Sequence, residues 1–534
     1  LQYAGMVKSP QPPAILNQFA KPFRQATRTR TELAGDWATR QNEIREKRRT
    51  INATYDAAGS SDEYKNYWAP ADALDADSAN SFAVRQNLVK RSRYDIGNNG
   101  FSDGIASTYA TDVVGKGGPT LRMQTASAGF NRMVELAWFD WCKEVKFRRK
   151  LVCSALAKHG DGEGIGVLRL NRGMKHPVKL DWVLHETEQC QTPALMYGKA
   201  GQIDGIQFDE FGNPTFYDIL KNHPGSNLHW SSYSTAPEKV PAKYVTHWFK
   251  LKRPGQHRGI PACTSTLNLG AASRRYREAT LAAAELVADF TLLLETGFEP
   301  DEMDAVTPMS TLDVQKRMIT ALPAGQKMSQ PKAEQPTASY EEFTQAQINE
   351  QARPVSMPLN KAMCNSAKYN YSSGRLDHQT YYGHLDIDRE DCADCVLDPM
   401  FAVWFDQAIM AYGWLGGNPD AVSERAKAHI WDWPKHPVAD ISTEADASDK
   451  KLKNGTASIA SEQVAAGLDP EDELIKTAEN NGVTVEQQRQ INMLLNLPQH
   501  VIPIVAQILK LVPNPTASAF TPPASEPKET PANG

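Results

Sequence analysis

The stretch that decides the fold is residues 244–297, YVTHWFKLKRPGQHRGIPACTSTLNLGAASRRYREATLAAAELVADFTLLLETG. Its β-branched and aromatic start predicts a short strand, and the Pro, Gly and Arg residues that follow predict a turn. From Ala262 to Glu295 the chain has one glycine, Gly270, and no proline. This scarcity of breakers predicts a single helix roughly 50 Å long at 1.5 Å per residue. The alanine-rich composition suits close packing against other copies of the chain, but a long core helix of a large enzyme fits it at least as well.

Length and composition are those of an ordinary globular protein. The chain has 534 residues, enough for several domains or one elongated subunit, with 41% hydrophobic and 23% charged residues. Its seven cysteines are scattered, which indicates a reducing compartment and no disulfide framework. No apolar run approaches the roughly 18 residues of a membrane span, and residues 1–13 lack the apolar core of a secretory signal. We therefore expect no membrane association.

Charge is distributed unevenly along the chain. The net charge is −5, so overall charge does not indicate nucleic-acid binding. A channel through which DNA slides should not bind phosphates tightly, because each neutralised phosphate adds salt-dependent affinity. A mildly negative net charge is therefore compatible with such a channel. Residues 21–49 carry nine basic and four acidic side chains. This N-terminal basic arm, residues 1–50, fits contact with nucleic acid or an acidic neighbour, and a solvated helix of alternating charge fits it equally.

The rest of the sequence alternates helical and strand patterns, which predicts an α+β fold. Apolar residues at helical spacing predict an amphipathic helix over residues 127–145, with Ser127 at its start. Pro399 predicts a kink in a long helical pattern. The other predicted helices are residues 83–114, 148–158, 312–319, 343–352, 374–404 and several within 458–511, and the predicted strands are residues 164–170, 180–183 and a hairpin over 203–220.

Two groups of residues have the composition of metal sites. Cys392 and Cys395 form a C-x-x-C pair without a second pair at zinc-site spacing, so a buried structural role is the better interpretation. His185, Glu186 and Glu188 are also metal-ligand types. On a strand the two glutamates share one face and His185 faces the other way, which argues against a metal site. We therefore expect neither a metal nor a cofactor.

No sequence motif indicates catalysis. The glycines of residues 162–166 follow a predicted helix and precede a strand, whereas a dinucleotide-binding turn requires the opposite order. Residues 115–118, GKGG, lack the spacing and the hydroxyl residue of a phosphate-binding P-loop. The sequence contains neither G-x-S-x-G nor H-E-x-x-H. We expect the chain not to be an enzyme, which fits a structural conduit.

Several segments, taken in order, resemble the portal proteins of tailed bacteriophages of the lambda type. The strand, the RPGQHRGIP turn and the long helix of residues 244–297 are one of them. The others are NNGFSDGI at 98–105 running on to DVVG at 112–115, the tryptophan-rich 135–141, HGDGE at 159–163, LPAGQ at 322–326 with Ala324 where the family has proline, and NYSSGR at 370–375. Their order and spacing carry the resemblance, which covers roughly residues 90–480.

The resemblance implies the architecture of a portal-type subunit. Such subunits form a closed ring of about twelve copies around an axial channel at one vertex of an icosahedral capsid. The implied parts are a basic arm (1–50), a wing (51–261 and 354–443), a stem helix (262–296), a small α/β clip (297–341), a second stem helix (342–353), a helical crown (444–511) and a disordered tail (512–534). The second wing segment would hold a tunnel loop and the long kinked helix.

The resemblance also implies roles for individual residues. The tunnel loop would narrow the DNA channel with Asn365, Lys368, Asn370, Tyr371, Ser372 and Ser373, and with Arg375 as a second choice. The stem helix would carry the arginine cluster Arg274, Arg275 and Arg277. The clip would dock the packaging motor through Leu312, Gln315, Lys316 and Met318.

The implied function is a DNA channel for procapsid nucleation, genome packaging and ejection, and head–tail joining. The implied partners are further copies of the chain, double-stranded DNA, the large terminase subunit, the major capsid protein and scaffold, and head-completion or tail-adaptor proteins. The protein would be assembled in the host cytoplasm and lie at the portal vertex of the virion. Terminase, a separate ATPase, would supply the energy for DNA movement.

Three alternatives compete with this interpretation. A metal-dependent nucleic-acid enzyme would use His185, Glu186 and Glu188. A head–tail adaptor would also form a ring, but adaptors are usually much shorter than 534 residues. The portal of a gene-transfer particle would have the same kind of sequence as a viral one.

Overall fold

The structure is a computed structural model. It describes residues 39, 68–192, 201–226, 236–289, 293–296, 326–329, 339–419, 422–437, 441–466, 468 and 470–495. The chain divides into two compact units, residues 1–73 and 74–534. The helices and strands from Ala76 onward belong to the second unit. The basic arm at 21–49 apart from Thr39, the predicted helix at 312–319 and the tail at 512–534 lie outside the described residues.

Helices and strands are mixed throughout the described part of the second unit, as the predicted α+β class requires. The helices are α1 (Ala76–Ala79), α2 (Phe82–Asn98), α3 (Gly100–Val114), α4 (Ala128–Glu144), α5 (Phe147–Gly160), α6 (Leu267–Asp289), α7 (Tyr340–Ala352), α8 (Leu359–Ala362), α9 (Tyr371–Cys392), α10 (Asp398–Tyr412), α11 (Ile441–Lys453), α12 (Ile459–Ala465), α13 (Pro470–Asn481) and α14 (Val485–Leu495). None of these helices is both long and apolar enough to cross a membrane.

The strands form four small antiparallel sheets. They are β1 (Thr120–Met123), β2 (Glu163–Leu170), β3 (Leu180–His185), β4 (Gln202–Ile203), β5 (Ile206–Phe208), β6 (Pro214–Ile219), β7 (Glu238–Pro241), β8 (Val245–Phe249), β9 (Leu293–Thr296), β10 (Gln326–Ser329) and β11 (His429–Asp432). The sheet orders are β3-β2-β8, β4-β5-β6-β7, β1-β11 and β9-β10. In the central strand β2, Val167 lies opposite Val183 of β3 and Val245 of β8. The predicted hairpin over 203–220 is confirmed as β5 and β6.

The main hydrophobic core lies where the helices cover the β2 sheet. The predicted amphipathic helix is confirmed as α4, whose start is capped by Ser127. Its apolar stripe buries Trp138 and Trp141. The Trp138 ring packs edge-on against Trp404 of α10, with 5.0 Å between ring centroids. The indole N–H of Trp141 donates a 2.8 Å hydrogen bond to the Leu180 carbonyl, which joins α4 to β3.

The long helix of residues 262–295 is shorter than the sequence predicts. It begins as a 3₁₀ helix, Ala262–Thr266, continues as α6 and ends at Asp289. Residues Leu293–Thr296 form strand β9 instead, and Glu295 lies opposite Lys327 of β10. The prediction of helix to residue 295 is therefore wrong. Pairing with a strand that lies about thirty residues later in the chain overrides a local preference for helix.

The predicted interruption near Pro399 is confirmed. Between α9 and α10 the chain forms a π-helical segment, Ala393–Leu397. Pro399 lies in the first turn of α10, which continues from the π-helical segment with helical backbone angles at Leu397 and Asp398, so its missing N–H interrupts the helical hydrogen bonds there. The irregularity lies one turn earlier, because a proline ring crowds the carbonyl four residues before it.

Candidate functional site

Two sequence motifs meet where the chain leaves the sheet and approaches α6. The Arg258 Nε–H donates to both carboxylate oxygens of Glu163 at 3.1 Å, and Nη2 donates to Oε1 at 2.5 Å. The Gly259 backbone N–H donates to Glu163 Oε2 at 2.9 Å. Both charged residues are about 1% exposed. The HGDGE turn and the RGIP turn thus form one buried contact that ties β2 to the start of the long helix.

Glycine is required on both sides of this contact. Gly162 has φ +93°, and a Cβ placed there would overlap the backbone of Ile260. A Cβ on Gly259 would overlap the Gly162 carbonyl. Since only glycine accepts the positive φ and leaves this space open, the two turns can approach backbone to backbone.

Further partners satisfy the buried ion pair. His247 Nε2 lies 3.0 Å from Glu163 Oε2, and Arg258 Nη1 donates to the Cys190 carbonyl at 3.0 Å. Burial opposes ionisation of Glu163, but Arg258 and His247 outweigh it and hold the pKa of that carboxyl well below its ordinary value. Burial also disfavours the charged form of Arg258, but Glu163 outweighs it and raises the pKa of the guanidinium. Both groups stay charged, and each depends on the other for compensation.

The predicted arginine cluster of the stem helix is divided between two environments. Arg277 Nη2 donates to Asn99 Oδ1 at 2.9 Å, and its guanidinium lies 5.0 Å from the ring centre of Phe101. Arg274 lies over an aromatic ring of α2 at 5.1 Å. Arg275 is exposed. Two of the three arginines therefore hold α6 against the corner between α2 and α3, which is the NNGF motif.

The predicted tunnel loop lies between α8 and α9. Lys368 Nζ is 2.9 Å from Oε1 of Glu341 in α7, and the two side chains are 59% and 60% exposed. Within the loop, Asn365 Oδ1 accepts a 3.0 Å hydrogen bond from the Ala367 N–H. The lysine expected to give the loop a positive charge is therefore paired with a carboxylate of α7. An ion pair this exposed is weak, and a phosphate group can compete for it.

The loop is shorter than the sequence predicts, because α9 begins at Tyr371. The Asn370 side chain accepts a 3.0 Å hydrogen bond from the Ser373 N–H and so caps the helix. Tyr371, Ser372 and Ser373 form its first turn, and their assignment to a flexible loop is wrong. Arg375 lies in the helix and is exposed. Residues 363–370 form the connection between α8 and α9. We call them the tunnel loop after the role that the resemblance implies, and that role stays a prediction.

Asp112 of α3 anchors the chain on both sides of the tunnel loop. Lys361 Nζ of α8 lies 2.6 Å from Asp112 Oδ2, and the Tyr381 hydroxyl of α9 donates to the same oxygen at 2.9 Å. The side chains of Asn360 and His378 add a second contact between α8 and α9 at 3.1 Å. The helices on both sides of the exposed loop are therefore held by the same carboxylate. Sequence reasoning missed this role, although Asp112 opens the DVVG segment of the resemblance.

A buried polar group joins the long helix α9 to α3 and α5. Lys158 Nζ of α5 lies 2.9 Å from Asp388 Oδ1, and the Tyr109 hydroxyl donates to Asp388 Oδ2 at 2.8 Å. Lys158 also lies 4.4 Å from the ring centre of Trp248. Burial opposes ionisation of Asp388, but Lys158 outweighs it and lowers the pKa of the carboxyl. In the sequence, this contact is indicated only by a charged residue on an apolar helix face. That pattern does not show which residue is its partner.

The metal-ligand residues of the sequence form a different group in the structure. Glu186 and Glu188 lie beside His223, with ligand atoms within 4.8 Å of one another, and His185 is not a member. The grouping with His185 is wrong, because the strand β3 ends at that residue. Arg93 lies 2.9 Å from Glu186 and 3.0 Å from Glu188. Arg93 also pairs with Asp161 at 2.7 Å, so the two glutamates belong to a salt-bridge network, which explains why they lie together.

The C-x-x-C pair has the environment of structural cysteines. Cys392 is fully buried at the end of α9, and Cys395 lies in the π-helical segment. Both are free thiols. Burial raises the pKa of Cys392 and raises that of Cys395 to about 12. Thiols that stay protonated are poor metal ligands and poor nucleophiles.

The predicted docking residues of the clip lie outside the described residues. They are Leu312, Gln315, Lys316 and Met318. The described portion of residues 297–341 contains strand β10, which pairs with β9, and the start of α7. Their role in docking stays a prediction.

Comparison with known proteins agrees with the resemblance. A family model described as phage portal protein, lambda family, matches residues 65–387, more than half of the chain. The chain is 22% identical over 474 residues to a probable portal protein of Halomonas phage phiHAP-1, covering 83% of this chain and 88% of that protein.

Solved structures of gene transfer agent particles are also similar to the chain. One is the neck of an empty particle computed with C6 symmetry, with TM-score 0.41, 12% identity and coverage of 72% of this chain and 94% of that chain. Another is the neck of a native particle computed with C12 symmetry, with TM-score 0.37, 13% identity and the same coverage. These scores are low, and the assignment rests on the family match. The chain belongs to the lambda family of phage portal proteins.

Proposed function

We propose that this portal protein assembles into a closed ring of about twelve subunits whose axial channel passes double-stranded DNA. The observation that carries the proposal is the tunnel loop: an exposed polar segment with one lysine, raised from a base that Asp112 fixes on both sides. Hydroxyl and amide groups contact phosphates without the strong counterion-release effect of many lysines and arginines. Such a lining would contact the DNA but bind it only weakly, so that the duplex can slide.

The outer face of the stem helix supports the ring. Helix α6 packs one side against α2 and α7, and Leu281 and Leu286 on its other side are 62% and 58% exposed. Exposed leucines on a helix mark a surface that another chain covers. In a head-to-tail ring that chain is the next subunit.

The remaining parts of the proposal follow the architecture that the resemblance implies. Residues 51–261 and 354–443 form the wing, 262–296 and 342–353 the stem, 297–341 the clip and 444–511 the crown in this proposal. The clip binds the large terminase subunit, and the ring nucleates procapsid assembly with the major capsid protein and scaffold. After packaging it holds head-completion or tail-adaptor proteins at the portal vertex of the virion. The chain itself is not an enzyme.

The test is a charge change in the tunnel loop. In particles carrying Lys368→Glu, we expect rings and procapsids to form normally but the encapsidated DNA to be shorter, because carboxylates at positions 341 and 368 would repel phosphate. The matched control is the exchanged pair Glu341→Lys with Lys368→Glu, which restores the charge balance and should retain DNA at the wild-type length. Normal packaging both by Lys368→Glu and by a deletion of residues 366–369 would show that this loop does not line the channel.

A further inference from the structure

A basic cleft lies between α4, α5, β1 and α13. It has a volume of about 880 Å³ and is lined by seven basic and two acidic side chains. Four of the basic residues, Lys143, Lys146, Arg148 and Arg149, are exposed, and none forms an ion pair within the described part of the chain. The cleft therefore carries positive charge that its own described surroundings do not neutralise.

One wall of the basic cleft is apolar. Leu136 and Phe139 of α4 are 43% and 52% exposed, and Lys143 Nζ lies 4.0 Å from the ring centre of Phe139. Exposed apolar side chains beside unneutralised cations fit a protein surface that is itself apolar and acidic. The phosphate backbone of DNA offers charge but no apolar face, so it fits this cleft less well.

The long helix α9 and the π-helical segment carry a complementary surface, the acidic stripe. Its members lie three or four residues apart on one side and are all exposed: Leu376, Thr380, Gly383, Ile387, Glu390 and Asp394. Leu376 and Ile387 are each 65% exposed. Glu390 and Asp394 form no ion pair among the described residues. The stripe is thus apolar, with small residues at its middle and negative charge at one end.

The spacing of the two surfaces matches. Lys143 follows Leu136 by seven residues, and Asp394 follows Ile387 by seven. Each interval spans roughly 10 Å along a helix at 1.5 Å per residue. If α4 of one subunit lies parallel to α9 of the next, Leu136 meets Ile387 and Lys143 meets Asp394.

We propose that the basic cleft of one subunit binds the acidic stripe of the next subunit, an inference that rests on the ring of the proposed function. Two clefts facing each other would place like charges together, so a two-fold symmetric contact through this surface is disfavoured. The cleft and the stripe are different surfaces, and their contact is therefore heterologous. Repeated with a rotation that closes, a heterologous contact generates a ring.

The experiment reverses charge on each surface separately and then on both. The cleft variant is Lys143→Glu with Lys146→Glu, and the stripe variant is Glu390→Lys with Asp394→Lys. Mass photometry of the full chain should show the ring fraction of each variant reduced at least roughly tenfold, since like charges across an interface suppress association. The chain with all four changes should recover rings. Arg172→Glu with Lys175→Glu, two exposed cations on the turn between β2 and β3, is the matched control and should assemble normally.

Other outcomes identify what is wrong. Failure of the wild-type chain to form rings would overturn the proposed function. Wild-type rings together with normal rings from the cleft and stripe variants would overturn only this inference. Normal rings from the cleft variant with lost binding of a 30-base-pair duplex, an arbitrary probe of roughly three helical turns, would reassign the cleft to DNA. If the cleft and stripe variants lose rings and the chain with all four changes does not recover them, that result would also count against the paired contact. Circular dichroism would then show whether the subunits are folded.

Discussion

Gly162 and Glu163 show how two adjacent residues join the sheet to the start of the long helix. Gly162 supplies a backbone conformation at φ +93° and space for Ile260, and Glu163 supplies the carboxylate that Arg258 and Gly259 bind. One residue acts through the absence of a side chain and the other through a charge. Substitutions at the two positions should therefore destabilise the subunit for different physical reasons.

Gly162→Ala should lower the melting temperature clearly. A non-glycine residue held at such a φ costs about 1–3 kcal/mol, and the overlap of its Cβ with the Ile260 backbone adds to that cost. Thermal unfolding of the purified chain measures it. Gly129→Ala is the control, because a Cβ there meets nothing within 4 Å. Equal melting temperatures for the two variants would mean that the turns do not approach as described.

Glu163→Gln should destabilise the subunit by about 3–5 kcal/mol near neutral pH, because it leaves the buried Arg258 charge uncompensated. The folded-state pKa of Glu163 lies below its ordinary value of 4.5. The ionised carboxylate therefore contributes its full stability above pH 4.5 and loses it as the pH falls toward the folded-state pKa.

The measurement for Glu163→Gln is urea unfolding from pH 7 down to pH 3.5. The difference in unfolding free energy between wild type and variant should be largest near neutrality and shrink below pH 4.5. Glu350→Gln, an exposed position on α7, should show a small difference at every pH. A difference for Glu163→Gln that grows on acidification would refute the assigned direction of the pKa shift.

At the scale of elements, the tunnel loop depends on helices that are not its neighbours in sequence. Helix α3 supplies Asp112, which holds α8 before the loop and α9 after it. After α9, the π-helical segment Ala393–Leu397 leads into α10, which carries Pro399 in its first turn and buries Phe401, Trp404 and Phe405. The position of the loop is thus set by packing that begins some 250 residues earlier in the chain.

Asp112→Asn should loosen the base of the loop without unfolding the subunit. The amide keeps a hydrogen-bond acceptor for Tyr381 but removes the charge that Lys361 pairs with. Amide hydrogen exchange should speed up in residues 359–375 and stay unchanged in α4 and α5. Asp103→Asn, an exposed position on the same helix, is the control. Unchanged exchange in the Asp112 variant would contradict the anchoring role.

At the scale of the whole molecule, the subunit has three exposed surfaces that bear on its proposed function. The subunit keeps Leu281 and Leu286 of α6 exposed and also leaves the basic cleft and the acidic stripe open. In the proposed ring, neighbouring copies would cover all three surfaces. In the proposed function the clip, residues 297–341, is where the ring meets the packaging motor.

Substitutions in the clip should affect docking and not assembly. Gln315→Ala with Lys316→Glu is expected to weaken binding of the large terminase subunit to the ring while ring mass stays constant. The physical reason is that a polar, proline-rich insertion outside the core serves as a surface and not as a support. Pull-down of terminase and mass photometry measure the two effects. Wild-type terminase binding by this variant would remove these residues from the docking surface.

The sequence by itself determined the class of fold, most of the elements and the family. Helical and strand periodicity located α4, α5, β2 and the β5–β6 hairpin, because these elements show their buried faces in their own residues. The order of short motifs was enough to indicate a portal protein. Local chemistry also placed Ser127 at a helix start and Pro399 at an interruption.

Tertiary structure alone decided which distant residues meet. The helix that was predicted to reach residue 295 ends at Asp289, since β9 pairs with a strand that local propensity does not reveal. Glu163 with Arg258, and Asp112 with Lys361, are pairs whose partners lie 95 and 249 residues apart. Lys368 likewise gained Glu341 as a partner. A charged residue needs a partner only when it is buried, and tertiary packing decides both which charges are buried and which partners they meet.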